Sequence, residues 1–490
     1  MENEIDEEMD RLYYEGLDVE EATSDDRLTL PKVIEEYVKS ATQVSHYNEV
    51  PAALTFFNLL GQISYPMIQI VSGRRKDDTR VNFLWMQTSG TGKSEMYNFY
   101  GPVARLTFEM INATYGDDVP KFDIHDVKDI TDAALIGSVD MQDTLVEQEN
   151  GPPRREKVPV MKKGSLDGSG LCVYDEFEYS GVFKTSQHKE NVVMYLNTML
   201  NSLHGENYII SKKLKDCDEP IVCDSRRSVY ATTYIPRDLT KVIAEKGIMQ
   251  RMLIYIWEVP QWIQDKIREQ MITEVGTYID SDRPIKQYAN SFLVIFDTLK
   301  KRFDEVDGIA KDTITFSPDY NEALRNEWIA MRNYVSNSRP EVLEIAGNFI
   351  TRLLGTLTRL AVLCSIAEAP SISDESKRFI VTAKNVRQSS SLVRQCYKSL
   401  VSWLDTALKV QRRTLAEKSG AVDFKQAYED CKPKDDVWVN KSVLLSKVRQ
   451  NTNKGQSTIY RQFQKHESQF EIKKIGIKTY LKLKEEKKNE

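Results

Sequence analysis

Between residues 81 and 94 an apolar, strand-like run ends in Gln87-Thr88-Ser89-Gly90-Thr91-Gly92-Lys93-Ser94, and a helical pattern follows at once. This junction constrains the fold more than any other stretch, because a buried strand that must turn into a helix within a few residues needs glycine to reach left-handed backbone angles. The segment fits the phosphate-binding pattern GxxxxGK[ST] except at its first position, where Gln87 stands in place of glycine. In that pattern the backbone N–H groups of Ser89, Gly90, Thr91 and Gly92 face a triphosphate. Lys93 reaches the β- and γ-oxygens, and the Ser94 hydroxyl helps hold Mg²⁺. ATP with Mg²⁺ is therefore the expected ligand.

A second motif lies about eighty residues downstream. Leu171-Cys172-Val173-Tyr174 ends in Asp175-Glu176, so two carboxylates stand at a strand's carboxyl end. Asp175 is expected to orient Mg²⁺ and Glu176 to polarise the attacking water. Alone, such a tip is a strand ending at an acidic turn; paired with the glycine loop it points to hydrolysis. The strand at 228–231 ends in Thr232 and Thr233, either of which can sense the γ-phosphate. Arg251, set before the apolar run 252–257, suits an arginine finger acting on ATP of a neighbouring subunit; its plain alternative is a helix-capping arginine.

The 490 residues exceed what one hydrophobic core ordinarily supports, so several domains are expected. Composition is that of a globular protein, 41% hydrophobic and 29% charged. Residues 1–30 carry a net charge of −10 and residues 437–490 one of +8, a polarity that suggests a polyanionic partner for the basic end. The acidic start is unlike a secretory signal, and six scattered cysteines suit a reducing compartment; a cytoplasmic protein is expected. Cys217 and Cys223 lack a second ligand pair for zinc. Residues 50–73 are uncharged but contain Asn58, Gln62 and Pro66, which favours a buried helix and strand over a membrane span.

Alternating helical and strand patterns predict an α/β core with a parallel sheet covered by helices on both faces. The expected organisation is an acidic arm (1–30), a helical layer (31–80), the α/β core (81–260), a helical lid-like domain (261–415) and a C-terminal winged helix (421–490).

The order of the glycine loop, the Asp-Glu strand, the 228–236 strand, the 247–255 segment and the helical run 349–361 resembles the helicase-like P-loop ATPases of phages, plasmids and mobile elements. More distantly it is similar to the AAA+ hexameric helicases. The resemblance covers residues 50–410. It implies a ring, usually of six copies, with ATP between subunits, single-stranded DNA in a central channel, and a primase or other replisome protein as a possible partner. By the same resemblance Arg352 or Arg359 acts as a second sensor touching the nucleotide; the alternative is a core helix carrying two solvated or ion-paired arginines. A phage-encoded chain would work in the host cytoplasm. Gln87 and the lack of Asn at the first sensor depart from the family pattern.

Two basic segments suit a grip on single-stranded DNA. One is 149–164, with Lys162 and Lys163. The other is Lys212, Lys213 and Lys215, with a return through 221–223. In the last segment Ile459 and Phe463 mark the inner face of a recognition-type helix, leaving Arg461 and Lys465 partly free. The alternating wing around Gly476 brings Lys473 and Lys474. The expected function is an ATP-driven DNA helicase or translocase in replication. Alternatives are an ATPase switch of initiator, loader or transposition type, and a winged-helix DNA-binding regulator.

Overall fold

The computed structural model describes the chain apart from residues 1–26, 46, 128–130, 149–150, 178–189, 214–219, 236–246, 277–281, 372–376, 419–423, 433–436, 453–455, 477 and 485–490. Contacts divide it after Asp405 into two compact units. The acidic arm lies almost wholly outside the described residues.

The first unit opens with helices α1 (Lys32–Ser45) and α2 (Glu49–Ser64). Every residue of α2 from Val50 to Ser64 is buried, the behaviour of a helix apolar on all sides. Its polar side chains are used inside the protein. Asn58 donates to the carbonyls of Val81 (2.5 Å) and Val229 (3.1 Å), and Gln62 donates to that of Arg226 (3.0 Å). Those bonds pin α2 across two strands, so the uncharged run is core, and a short hairpin of β1 (Ile70–Ser72) and β2 (Arg75–Asp77) follows it.

The central sheet takes β3 (Phe83–Gln87), β4 (Phe122–Asp126), β7 (Gly168–Tyr174), β9 (Ile221–Thr233) and β10 (Leu253–Trp257) in the order β10-β3-β9-β7-β4, every pair parallel. All five residues of β3 are buried, as a strand covered on both faces requires. Two hairpins leave this framework. One, β5 (Gly137–Gln148) with β6 (Gly151–Lys163), is long and antiparallel. In the other, β8 (Ile209–Lys212) pairs antiparallel with the start of β9.

Helix α3 (Lys93–Tyr115) follows β3, and the short α4 (Asp132–Ile136) and α5 (Glu190–Met199) lie in later crossovers. After α6 (Gln261–Thr273), α7 (Asp282–Glu305) packs on α3. Tyr37 of α1 lies edge-on to Phe56 of α2 (5.3 Å between centroids) and to Tyr288 of α7 (5.1 Å), which knits the amino-terminal layer to a helix beyond the sheet. The remainder is mostly helical: α8 (Tyr320–Ser336), α9 (Pro340–Glu368) and the part of α10 (Ala383–Lys418) up to Asp405, after which the second unit begins. The helical reading of this region omits one parallel pair, β11 (Ile314–Phe316) with β12 (Phe379–Val381), whose three-residue strands are too short to leave a periodic signal. Helix α9 is long and apolar enough to cross a membrane, but most of that stretch is buried inside the protein.

Two buried arginines lock the amino end of the sheet. Arg80, 2% exposed, pairs with Asp78 (3.0 Å) and donates to the carbonyls of Asn201 (2.6 Å) and Arg227 (3.1 Å). Arg227, also 2% exposed, pairs with Asp123 and donates to the Asp167 carbonyl (2.6 Å).

The second unit contains α11 (Phe424–Cys431), β13 (Val439–Asn440), α12 (Lys441–Thr452), α13 (Gln456–His466), β14 (Phe470–Ile475) and β15 (Lys478–Leu483). Its antiparallel sheet has the order β13-β15-β14. Tyr428, Leu444, Val448, Ile459, Phe463 and Leu481 anchor its core.

Candidate functional site

Because all five main strands run the same way, their carboxyl ends share one edge of the sheet, the usual place for a ligand in an open α/β sheet. On that edge the 87–94 loop joins β3 to α3. Gly90 and Gly92 have φ of +73° and +98°, and a Cβ on Gly92 would stand 2.5 Å from the Ser45 carbonyl oxygen, so no other residue fits there. Gly92 caps α3 without a side-chain hydrogen bond, so the cap itself satisfies none of the first N–H groups of this 23-residue helix. Ser89, Gly90 and Ser94 are exposed, Lys93 is half-buried, and Thr91 and Gly92 are buried. The Lys93 ammonium donates to the carbonyls of Gln87 (2.8 Å) and Thr88 (3.1 Å), holding it across the loop.

Gln87, which departs from the glycine pattern, has a structural task that the sequence does not disclose. It is fully buried; its amide donates to Asn48 Oδ1 (2.9 Å) and to the carbonyl (2.9 Å) and hydroxyl (2.8 Å) of Thr91, while its Oε1 accepts from Trp85 Nε1 (2.7 Å). Asn48, in the α1–α2 connection, donates to the Thr91 carbonyl as well (3.0 Å). The loop is thus braced from beneath by a side chain where glycine would leave a void. Gln87→Gly is expected to lower stability by about 2–4 kcal/mol, since it orphans buried partners. Denaturant unfolding checks this, and an unchanged midpoint would mean the brace is dispensable.

Strand β9 lies between β3 and β7, so the Asp175-Glu176 tip stands two strand spacings, about 10 Å, from the glycine loop. Register puts Thr232 level with Trp85 of β3. The Thr232 hydroxyl donates to the Asp175 carbonyl (2.5 Å), with Asp175 Oδ1 3.2 Å away, so the middle strand is tied to the acidic tip. Thr233 is buried beside it, whereas Asp175 and Glu176 are exposed. Tyr97 of α3 donates to the Asp126 carboxylate at the tip of β4. Burial first, then the bond and charge of Asp126, push the Tyr97 hydroxyl above its ordinary range, so it stays protonated as the donor. Neither contact leaves a motif in the sequence.

Arg251, Arg352 and Arg359 stand elsewhere. Arg251 immediately precedes β10 and therefore lies at the amino end of the sheet, opposite the glycine loop. Together with Arg75, Lys76 and Asn201 these three arginines line a cleft of about 290 Å³. Arg251 donates to the Gly247 carbonyl (2.8 Å) and to Asn197 and Asn201 (3.2 Å each), which ties it to the turn just before it; the stretch 236–246 that it was expected to cap lies outside the described residues. Burial and then the Arg352 charge lower its pKa. Arg359 pairs with Asp77 (3.1 Å). This placement does not bring Arg352 or Arg359 to the 89–94 loop of the same chain.

Among the lysines, Lys163 pairs with Asp167 (2.8 Å) and sits with Lys162 at the base of the β5–β6 hairpin. Lys212 ends β8 and the exposed Lys213 follows it; the pairing of β8 with β9 runs through 221–224, where the return was expected at 221–223. Lys215 and Cys217 lie outside the described residues, and Cys223 is buried in β9. In the second unit Ile459 and Phe463 face the core, while Arg461 and Lys465 are exposed on α13 and Lys473 and Lys474 on β14. Lys473 Nζ stands 5.7 Å from the centre of the Trp438 ring.

Neither a comparison of the sequence with known protein families nor one with curated proteins finds a match.

Proposed function

We propose that the chain is an ATP-driven nucleic-acid motor of the helicase or translocase type, working as a ring-shaped oligomer on single-stranded DNA. One observation carries the reading: the GxxxxGK[ST]-like loop and the Asp175-Glu176 tip stand on the same edge of a parallel sheet, one strand apart, with Thr232 of the intervening strand bonded to Asp175. The left-handed glycines and the uncapped start of α3 support treating 89–94 as a phosphate cradle. Exchanging its two carbonyl acceptors for phosphate oxygens lets Lys93 bind the β- and γ-phosphates. Glu176 takes the proton of the attacking water, and Thr232 keeps the Asp175 backbone in register. The exposed Ser94 hydroxyl and Asp175 carboxylate are hard oxygen donors of the kind Mg²⁺ takes alongside phosphates. Held there, Mg²⁺ would neutralise charge developing between the β- and γ-phosphates.

Arg251 lies at the end of the sheet away from the 89–94 loop, so its assignment as an arginine finger requires ATP carried by another copy, and with it an oligomer. Lys212 at the end of β8 and Lys213 just after it are assigned to the DNA strand. The second unit, with its helix, strand, two helices and two-stranded wing, is assigned as a winged helix contacting DNA through Arg461, Lys465, Lys473 and Lys474.

The test is the steady-state ATPase rate with and without single-stranded DNA, with Lys93→Ala as background. Stimulation by DNA that disappears in the variant is expected; a rate indifferent to DNA would overturn the motor reading. Lys212→Ala with Lys213→Ala should reduce that stimulation while the DNA-free rate stays near the parent value, as an ATPase titration with oligonucleotide would show.

A further inference from the structure

The cleft at the amino end of the sheet gathers more positive charge than its own acids neutralise. Arg75, Lys76, Arg251, Arg352 and Arg359 all line it. Asp77 reaches into this group, and the buried Asp78, paired with Arg80, also feels the Arg359 charge. Asp77 accepts from Arg75 Nε (2.8 Å) and Arg359 Nη2 (3.1 Å) and also from the Ser202 hydroxyl. Among the described residues Lys76 and Arg352 have no acidic partner. Among the described residues Arg251 bonds to neutral acceptors, those of Asn197, Asn201 and Gly247. Arg359 Nε is buried with no hydrogen-bond partner at all. Like charges gathered in a concave, partly desolvated place cost free energy unless an anion compensates them, and the same arrangement concentrates anions from solution.

The supporting structure is stiff where a ligand site needs it. Asp77 holds Arg75 and Arg359 in fixed directions. Arg75 Nη2 lies against Gly355, where an added Cβ would come within 3.4 Å, so the β1–β2 hairpin is seated on α9. Lys76 and Arg352 are exposed at the mouth, free to approach a ligand. Arginine forks and a lysine converging on one small cavity are the chemistry that recognises phosphate oxygens.

We propose that this cleft binds the terminal phosphates of a nucleoside triphosphate at a place separate from the 89–94 loop, with Lys76 and Arg352 as direct phosphate contacts. Arg75 and Arg359, fixed by Asp77, are positioning residues that set the width of the cleft. Lys76 and Arg75 belong to the β1–β2 hairpin, outside every motif that suggests ATP hydrolysis. The choice of a nucleotide rests on the proposed function, whereas the anion site rests on the cleft alone. The phosphates come either from free nucleotide or from nucleotide held by a second copy, and the two sources separate by experiment.

The test uses the full chain carrying Lys93→Ala, so that the loop site is weakened, and titrates inorganic tripolyphosphate by calorimetry. Binding is expected to persist, and adding Lys76→Ala and Arg352→Ala should weaken it by about tenfold or more, the loss of two charge-assisted contacts. Both side chains are exposed, so the thermal midpoint without ligand should stay near that of Lys93→Ala, which controls for misfolding. No binding to Lys93→Ala, or binding indifferent to the two added substitutions, overturns the proposal. For the source, Lys93→Ala protein is mixed with Lys76→Ala/Arg352→Ala protein. Regained ATPase assigns the phosphates to a second copy; no regain, with ATP affinity constant on protein dilution, assigns them to free nucleotide, and either source leaves the site standing. A parent protein that binds tripolyphosphate in the cleft but never hydrolyses ATP would sink the motor reading alone.

Discussion

Replacing Glu176 by Gln is expected to lower ATP turnover by about 10²–10⁴-fold while leaving ATP binding near the parent value, the usual range for removing a general base. The substitution keeps size and hydrogen bonding but removes the carboxylate proposed to take the proton from water. Glu176 is exposed at the tip of β7, so the change costs little stability. Asp175→Asn should differ in kind, weakening the Mg²⁺ dependence of binding as well as turnover. Single-turnover hydrolysis beside equilibrium nucleotide binding separates the two. Equal turnover in parent and Glu176→Gln would remove Glu176 from the chemistry and with it the hydrolytic assignment of this edge.

The second large effect is structural. Arg80→Met should destabilise the first unit by about 3–5 kcal/mol, because it strands the Asp78 carboxylate in the interior and breaks bonds to the carbonyls of Asn201 and Arg227. Adding Asp78→Asn should recover part of the loss, and denaturant unfolding of the single and double variants measures it. Recovery is expected because the removed partner, rather than the removed pair, carries the cost. Burial alone would raise the Asp78 pKa, but the charges of Arg80 and then Arg359 outweigh it and hold the carboxyl below its ordinary range. A depressed carboxylate contributes stability above its unfolded pKa, about 4, and that contribution is lost as pH falls through the lower folded value. The parent should therefore lose stability from about pH 4 downward. Asp78→Asn should show a shallower acid slope.

The strands at the centre of the sheet were legible because they are buried on both faces and so read as unbroken apolar runs: Phe83 to Met86 and Leu171 to Tyr174 are cases. Edge strand β4 escaped notice because Asp123, His125 and Asp126 interrupt its apolar pattern, although Phe122 and the pairing with β7 place it in the sheet. The 149–164 segment was recognisable as a hairpin arm, but not the length of the partner arm at 137–148, whose Asp140, Asp143 and Glu147 read as loop. At the candidate site the glycine loop and the acidic tip announce themselves by residue type. The Gln87 brace, the Thr232 bond to Asp175 and the meeting of Arg75 with Arg359 depend on residues far apart in sequence, and no local pattern encodes them. Gln87 illustrates the limit: judged by pattern it weakens the loop, judged by its four hydrogen bonds it holds the loop up.

The strand order also dictates a schedule during synthesis. Strand β3 is made early, yet both of its sheet neighbours, β9 and β10, are the last strands of the sheet to leave the ribosome. Until they arrive, Phe83, Leu84, Trp85 and Met86 form an apolar segment with two open edges, the kind of surface that aggregates or recruits a chaperone. Helix α2, already complete and pinned to Val81 through Asn58, is what can shelter β3 in the interval. A nascent chain released before residue 221 should therefore be insoluble, and one released after residue 257 should be the first to protect the 87–94 loop from proteolysis.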